Sequence, residues 1–351
     1  MNRKQTIELV APAKINLNLH ISGRRPDGYH LIDSVVQTIG LHDTVFLRAA
    51  FTDSAGSAAN IFAAEPRRFK GKEGEPFESF EGRIVVDYSE EAPPGSDTGD
   101  PSRNLLVRAL DLSLRQTGPH VFDRLLTGSE SASKDQPLYI QLHLKKRIPS
   151  GAGMGGGSSD AAAIIRLLKT LAGDSSDFDA ERTALELGAD IPFLLRGGTA
   201  RMEGIGEQLT QLEGDLPVWH YLLIKPDYAI ATKDAYAAVD RSDYMNERFD
   251  QERFIRAMYA SHAEGMQFYG GNDFLPVISE TADLSMWKRK LLETGPLLAD
   301  LSGSGSTLFA AYETQKGAES ARLALKEAAA AEKVRLILTS GRPKAYNLSI
   351  M

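Results

Sequence analysis

Pro149-Ser150-Gly151-Ala152-Gly153-Met154-Gly155-Gly156-Gly157-Ser158-Ser159-Asp160-Ala161-Ala162-Ala163 places five glycines within seven residues, then two serines, then a helix-like run. Glycine lets the backbone approach a ligand closely and take positive φ without strain. Upstream, Leu142-His143-Leu144 alternates as a strand does; downstream, apolar residues at 164, 165, 168 and 171 repeat with helical spacing. A flexible linker, the bland alternative for a glycine run, has neither flank. A helix start aims unpaired N–H groups and a partial positive charge back at the loop. Strand, loop and helix start together predict an anion site, and the usual anion is a phosphate. The Ser158 and Ser159 hydroxyls suit a phosphate oxygen or a magnesium ion, or else merely cap the helix. Two better-known phosphate loops do not fit. No lysine follows these glycines, as a Walker-type loop requires, and Gly151–Gly156 lacks the acidic partner that a dinucleotide fingerprint needs about twenty residues on.

With 351 residues and 42% hydrophobic content, one large or two medium domains with ample core are expected. A formal charge of −7 does not attract nucleic acid; the short basic stretch Arg67-Arg68 reads first as solvated surface, which is one reading of Lys145-Lys146-Arg147 as well. The chain has no cysteine, which excludes disulfides, thiol nucleophiles and cysteine-bound zinc. Its seven histidines form no i, i+4 pair, so a histidine metal site has no support. Met1 to Gln5 leads straight into an apolar strand with no signal-type segment, and no window approaches a transmembrane span. The expectation is a soluble cytoplasmic protein with a small-molecule ligand and no nucleic-acid or membrane partner; monomer or homodimer is left open.

Alternation over Ile7–Ile21, interrupted by Pro12, predicts strands with a bend, and Ser34–Leu47 returns to a strand pattern. Residues 49–103 read as an elaborated surface insertion with one strand at Ile84–Tyr88, and 127–136 as a second polar insertion. Helices are expected at Asn104–Leu112 and Asp179–Leu187, around 250–264 and 286–293, and from Gly317 to Glu332. Asp190 is placed at a loop–strand junction before a strand pair within 197–209. Val218–Ile224 is a buried-type strand that opens a second domain, and Leu301–Thr307 is a second glycine-serine turn ahead of the strand Leu308–Tyr312. This order predicts an α+β protein of two domains, 1–214 and 215–351.

Ala11-Pro12-Ala13-Lys14-Ile15-Asn16-Leu17, the glycine-serine loop and Leu301-Ser302-Gly303-Ser304-Gly305 together resemble the three motifs of the GHMP kinase superfamily. Gly23–His30, Leu187–Phe193, Gly197–Ala200 and Gly204–Glu207 are similar to one branch of it. That branch phosphorylates the 2-hydroxyl of 4-diphosphocytidyl-2-C-methyl-D-erythritol with ATP, on the non-mevalonate route to isoprenoid precursors. The resemblance spans nearly the whole chain. It implies a two-domain GHMP kinase fold: an N-terminal domain like ribosomal protein S5 domain 2 and a smaller α+β C-terminal domain, with the substrate between them.

The resemblance also implies roles. Asp190 would be the general base and Lys14 its electrostatic partner; on residue type alone, Asp190 is a turn or cap aspartate and Lys14 a solvent-facing strand lysine. Asn16 shares the face of Lys14 by period two and would bind substrate. Tyr29 would stack on cytosine, His30 would hydrogen-bond its edge and Tyr236 would complete the sandwich; loop and core packing are the alternatives. Thr232 would lie near the reacting centre, or cap a helix. Asn104 and Lys146 would lie near adenosine, with a solvated cation the alternative for Lys146. Pro149, Gly151, Gly153, Gly155, Gly156, Gly157, Ser158 and Ser159 would hold the ATP phosphates, with Ser158 reaching Mg2+. Gly303–Gly305 would support the site by close backbone approach, or is an ordinary connection. The long insertions and Ala152, where an unbroken glycine run is commoner, depart from the family pattern; Ala152 is small enough that nucleotide binding is expected to survive. Competing outcomes are another small-molecule kinase of the superfamily, a catalytically silent binding or regulatory protein on the same fold, and a dinucleotide-dependent oxidoreductase.

Overall fold

The computed structural model describes residues 6–51, 72–73, 77–79, 84–92, 103–127, 138–174, 176–244, 246–278, 283–342 and 349–350. Most of the 49–103 insertion and nearly all of 127–136 lie outside them. The first half of the chain runs β1 (Thr6–Asn16), β2 (His20–Arg24), β3 (His30–Phe51), two short strands β4 (Lys72–Glu73) and β5 (Phe77–Ser79), and β6 (Ile84–Glu91). Then come α1 (Leu105–Thr117), α2 (Asp123–Thr127), β7 (Leu138–Lys145), α3 (Gly156–Ala172), α4 (Ala180–Leu187), α5 (Ile191–Arg196), β8 (Thr199–Gly204) and β9 (Gln208–Gln211). The second half runs β10 (His220–Lys225), α6 (Thr232–Asp240), α7 (Gln251–Tyr259), α8 (Ala263–Tyr269), α9 (Phe274–Ile278), α10 (Leu284–Leu292), β11 (Leu298–Leu301), β12 (Leu308–Tyr312), α11 (Gln315–Ala331), β13 (Arg335–Ser340) and β14 (Ser349–Ile350).

Two sheets organise these elements. The larger has the order β14-β1-β3-β7-β6-β4, with β8 and β9 added through β3; the smaller has the order β11-β12-β10-β13. Pairing is antiparallel except between β6 and β7. The strand at 349–350 pairs with β1, so the end of the described chain returns to the first sheet.

The bend expected at Pro12 is a bulge between Pro12 and Lys14 in the β1–β3 ladder, a position that tolerates a residue without an N–H. It changes what β1 buries. Ile7, Leu9 and Ala11 join the core under α1 and α3, with Leu106, Ile164, Ile165 and Leu168. Ala13, Ile15 and Leu17 join a second core with Trp219 and with Tyr221, Leu223 and Phe309 of the smaller sheet. The intervening Lys14 and Asn16 are left to face a cleft. β1 thus belongs to two apolar layers and lends its polar face to neither.

Three expectations need correcting. Asp190 does not precede a strand; it sits at the N-cap of α5, with Pro192 in the first turn, where the fixed proline φ and missing N–H are tolerated. The stretch around 250–264 is not one helix but two, broken where Ser261 takes φ 49. Residues 232–240, not assigned to a helix from sequence, form α6.

Candidate active site

The glycine loop alternates its allegiance. Ala152 and Met154 are buried, while Gly151, Gly153 and Gly155 take positive φ between them. Ala152 therefore fills a core position, and the departure from a continuous glycine run costs the loop no contact. At Gly153 the need for glycine is absolute in steric terms: an added Cβ would lie 2.1 Å from the Ser302 carbonyl oxygen. Ser302 Oγ donates to the Gly153 carbonyl at 3.0 Å, and Asn272 Nδ2 donates to the Leu301 and Gly303 carbonyls. The two glycine turns are thus packed backbone against backbone.

Gly155, left-handed at φ 68, is the N-cap of α3 and supplies no side-chain cap. The first backbone bond at this end is Ser159 N–H to the Gly155 carbonyl, so the N–H groups of Gly156, Gly157 and Ser158 are the ones a bound anion would meet. Ser158 lines the cleft. Ser159 does not: it is fully buried and its hydroxyl donates to the Pro12 carbonyl at 2.6 Å. One helical step turns it from the cleft into the sheet, which corrects its expected contact with nucleotide.

The cleft has a volume of about 940 Å³ and brings most of the expected residues to one wall or the other. Lys14, Asn16, Asp190, Thr232, Tyr236, Asn104, Lys146 and the loop from Pro149 to Ser158 all line it. At its centre, Lys14 Nζ lies 3.4 Å from Asp190 Oδ2 and donates to Asn16 Oδ1 at 2.8 Å. Asn16 Nδ2 donates to Ser34 Oγ, which donates to the Asn18 carbonyl. Lys14 is therefore buried and held, not solvent-facing. Asp190, despite its N-cap position, makes no capping hydrogen bond, so its carboxylate is available to the cleft. Thr232 does not cap α6, a place taken by Ala231; its hydroxyl lies 3.0 Å from Ser304 Oγ.

At one end the rings differ from the expected sandwich. Tyr236 stacks on His30, with centroids 4.4 Å apart and planes at 18°, and Tyr29 stands 60% exposed at the rim. His30 Nε2 is 2.7 Å from Asp240 Oδ1, and Arg24 Nη1 is 3.2 Å from Asp240 Oδ2. The hydrogen bond from His30, with the Arg24 guanidinium on the other oxygen, holds the Asp240 carboxyl below the usual range. Asp240 was missed from sequence. The signal was present only once α6 was known, because Asp240 follows Tyr236 by four residues and shares its face.

At the other end Lys146 is not a solvated cation. Its ammonium is buried between the carboxylates of Asp43 and Asp160, and Asp43 also accepts the backbone N–H groups of Arg147 and Ile148. Burial alone would lower the Lys146 pKa; the two carboxylates outweigh it and keep the ammonium charged. One cation between two buried anions leaves net negative charge. Asp160 is accordingly pushed up to about 8, by burial first and only partly offset by Lys146. Asn104 caps α1 through its Oδ1 and donates to the Tyr88 hydroxyl, which donates to Glu90. Glu90 Oε1 and Asp160 Oδ1 are buried without a hydrogen-bond partner among the described residues.

The raised Asp160 value makes stability pH-dependent. Since folding raises its pKa from 3.8, the contribution is full at low pH and is lost progressively as pH climbs through about 8. Thermal melts between about pH 6 and pH 9 should show Tm falling in the native chain. Asp160→Asn, which leaves the Lys146–Asp43 pair intact, should flatten that fall and stabilise the alkaline end by about 1–3 kcal/mol. An unchanged slope would assign the charge elsewhere.

Comparisons with known proteins bear on the family and the fold. The family descriptions "GHMP kinases N terminal domain" and "GHMP kinases C terminal" match residues 104–198 and 245–331. The 4-diphosphocytidyl-2-C-methyl-D-erythritol kinase of Polaromonas naphthalenivorans (strain CJ2) is 35% identical over 311 residues, covering 88% of this chain and 86% of that protein. Its counterpart from Polaromonas sp. (strain JS666 / ATCC BAA-500) is 34% identical over 309 residues, covering 88% and 84%. A crystal structure of 4-(cytidine 5'-diphospho)-2C-methyl-D-erythritol kinase superposes with a TM-score of 0.65 at 28% identity, covering 95% of this chain and 99% of that one.

Proposed function

Because the chain belongs to the GHMP kinase family, we propose that it transfers the γ-phosphoryl group of ATP to the 2-hydroxyl of 4-diphosphocytidyl-2-C-methyl-D-erythritol. The observation that carries this is the single cleft in which the Lys14–Asp190 pair lies between a glycine-rich helix start and a cluster of rings formed by Tyr29, His30 and Tyr236. Phosphoryl transfer to an alcohol asks a protein mainly for positioning and charge stabilisation. A base-reading aromatic end is superfluous for mevalonate, homoserine or galactose.

In the proposed reaction Asp190 accepts the hydroxyl proton as the substrate oxygen bonds to the γ-phosphorus and the bond to the bridging oxygen of ADP breaks. Lys14, anchored by Asn16, stands beside the oxygen that is losing its proton and offsets the charge developing there. The N–H groups of Gly156, Gly157 and Ser158 face the phosphates, with Pro149, Gly151, Gly153 and Gly155 shaping the loop around them. Asn104 and Lys146 line the adenosine end. Thr232 lies beside the turn at Ser304, close to the reacting groups. Ser159 has no ligand role in this scheme. ATP would supply the phosphoryl group, and Mg2+, when bound, would neutralise phosphate charge. Among the described residues no three His, Asp or Glu side chains gather into a metal cage, so Mg2+ is proposed to arrive on the nucleotide, with Ser158 as its protein donor. The proposed division into domains at 214/215 falls between β9 of the larger sheet and β10 of the smaller. No helix among the described residues is long and apolar enough to cross a membrane; cytoplasmic placement is proposed with the rest.

The purified chain with Mg-ATP is expected to phosphorylate the cytidine-linked substrate and to leave mevalonate, homoserine and galactose untouched, read by coupled ADP release. Turnover of mevalonate in its place would overturn the assignment. Tyr236→Ala should raise KM for the cytidine-linked substrate about 10–100-fold through loss of ring contact, with little change in KM for ATP.

A further inference from the structure

We propose that Asp240 fixes the tautomer of His30, and so makes the aromatic end of the cleft select a pyrimidine bearing an exocyclic amine over one bearing a carbonyl at that position. The selectivity rests on the cytidine-linked substrate proposed above; the tautomer does not. Asp240 closes α6, four residues after Tyr236, and its two oxygens are divided between His30 Nε2 at 2.7 Å and Arg24 Nη1 at 3.2 Å. An ionised carboxylate only accepts hydrogen bonds, so the nitrogen facing it must carry the proton. Its lowered pKa, caused first by the His30 hydrogen bond and aided by the Arg24 guanidinium, keeps it ionised.

The His30 ring has little freedom to change this arrangement. It stacks on Tyr236, and its side chain is 9% exposed. Arg24 holds the second oxygen of Asp240 and is itself tied to the Gly28 carbonyl through Nε, so the carboxylate is braced from behind. With the proton on Nε2, Nδ1 of the neutral ring is a lone pair. It has no partner among the described residues. An aminopyrimidine offers that lone pair an N–H; a ketopyrimidine offers another lone pair. Stacking on the exposed ring of Tyr29 adds affinity without choosing between them, because every base has a π face. Discrimination therefore falls to one imidazole nitrogen, and Asp240 is the positioning residue that decides its protonation.

Two measurements test this on the full chain. Long-range proton–nitrogen spectra of 15N-histidine-labelled protein, with His30 assigned by its loss in His30→Gln, should show Nε2 protonated and Nδ1 bare. Asp240→Ala should convert this to a mixture. In kinetics with Mg-ATP, the native chain should prefer the cytidine-linked substrate to its uridine counterpart by at least about 100-fold in kcat/KM. Asp240→Ala should reduce the preference to within about 10-fold, the change falling on KM, and Asp240→Asn, which keeps an acceptor in place, should restore most of it. A native chain with Nδ1 protonated, or an Ala variant with undiminished preference, overturns the proposal. A native chain that turns over neither substrate overturns the functional assignment and the selectivity with it, while the nitrogen spectra still decide the tautomer.

Discussion

Asp190→Asn is expected to lower kcat by about 10³-fold while ATP and substrate affinities stay within about 3-fold of native. The amide is the same size and retains an oxygen, so the start of α5 should be undisturbed, all the more because the carboxylate makes no capping bond there. What it lacks is the basicity to take a hydroxyl proton. Lys14→Met should cost about 10²–10³-fold by removing charge beside the reacting oxygen. Since Lys14 and Asp190 are one 3.4 Å pair, the double variant should be little worse than Asp190→Asn alone. Steady-state kinetics beside equilibrium binding of each ligand separates the effects. Near-native activity in Asp190→Asn would remove the carboxylate from the chemistry.

Gly153→Ala is the second large effect, and it is structural first. The added methyl carbon would sit 2.1 Å from the Ser302 carbonyl oxygen and 3.0 Å from that of Gly305, both backbone atoms that cannot rotate away. The residue must also hold φ 72, which costs a non-glycine residue about 1–2 kcal/mol before any clash. Together these should destabilise the chain by about 3 kcal/mol, seen as a Tm drop of more than about 5 °C. Relief of the clash requires the two turns to separate, and that shifts the helix start carrying the proposed phosphate donors. KM for ATP should therefore rise at least about 10-fold. At Gly157 the neighbouring space differs: an added Cβ meets only Leu105 Cδ1, at 3.6 Å, so Gly157→Ala should leave Tm nearly unchanged. Equal losses in the two variants would mean that loop flexibility, not the contact with Ser302, is what matters.

Much of the fold was legible because local chemistry and periodicity agreed. The alternation of β1, the glycine-to-helix junction at α3, and α4 between Asp179 and Gly188 needed no tertiary information. The failures have physical causes. The break within 250–264 depends on one residue, Ser261, taking a left-handed turn that its side chain does not announce. Asp190 was displaced from helix to strand context because α5 has only six residues, too few to show a period. Ser159 shares its residue type with Ser158, and only the direction of the helix separates the cleft-facing hydroxyl from the buried one. Lys146 looked solvated because its two carboxylates, Asp43 and Asp160, lie 103 and 14 residues away.

By itself, the order of residues determined the elements and the residue types available for chemistry: glycines that permit the loop, a lysine and an asparagine two apart on β1, aromatic side chains after a tight turn. These follow from backbone sterics and side-chain period, which act over a few residues. Only the tertiary structure decided which of them meet. The bulge at Pro12–Lys14 hands β1 from one core to another and turns Lys14 toward Asp190; the packing of Gly153 on Ser302 sets the loop against the second turn; and α6 carries Asp240 to His30, 210 residues away. Burial across distant segments drives those encounters, and no local pattern along the chain encodes a partner that far off.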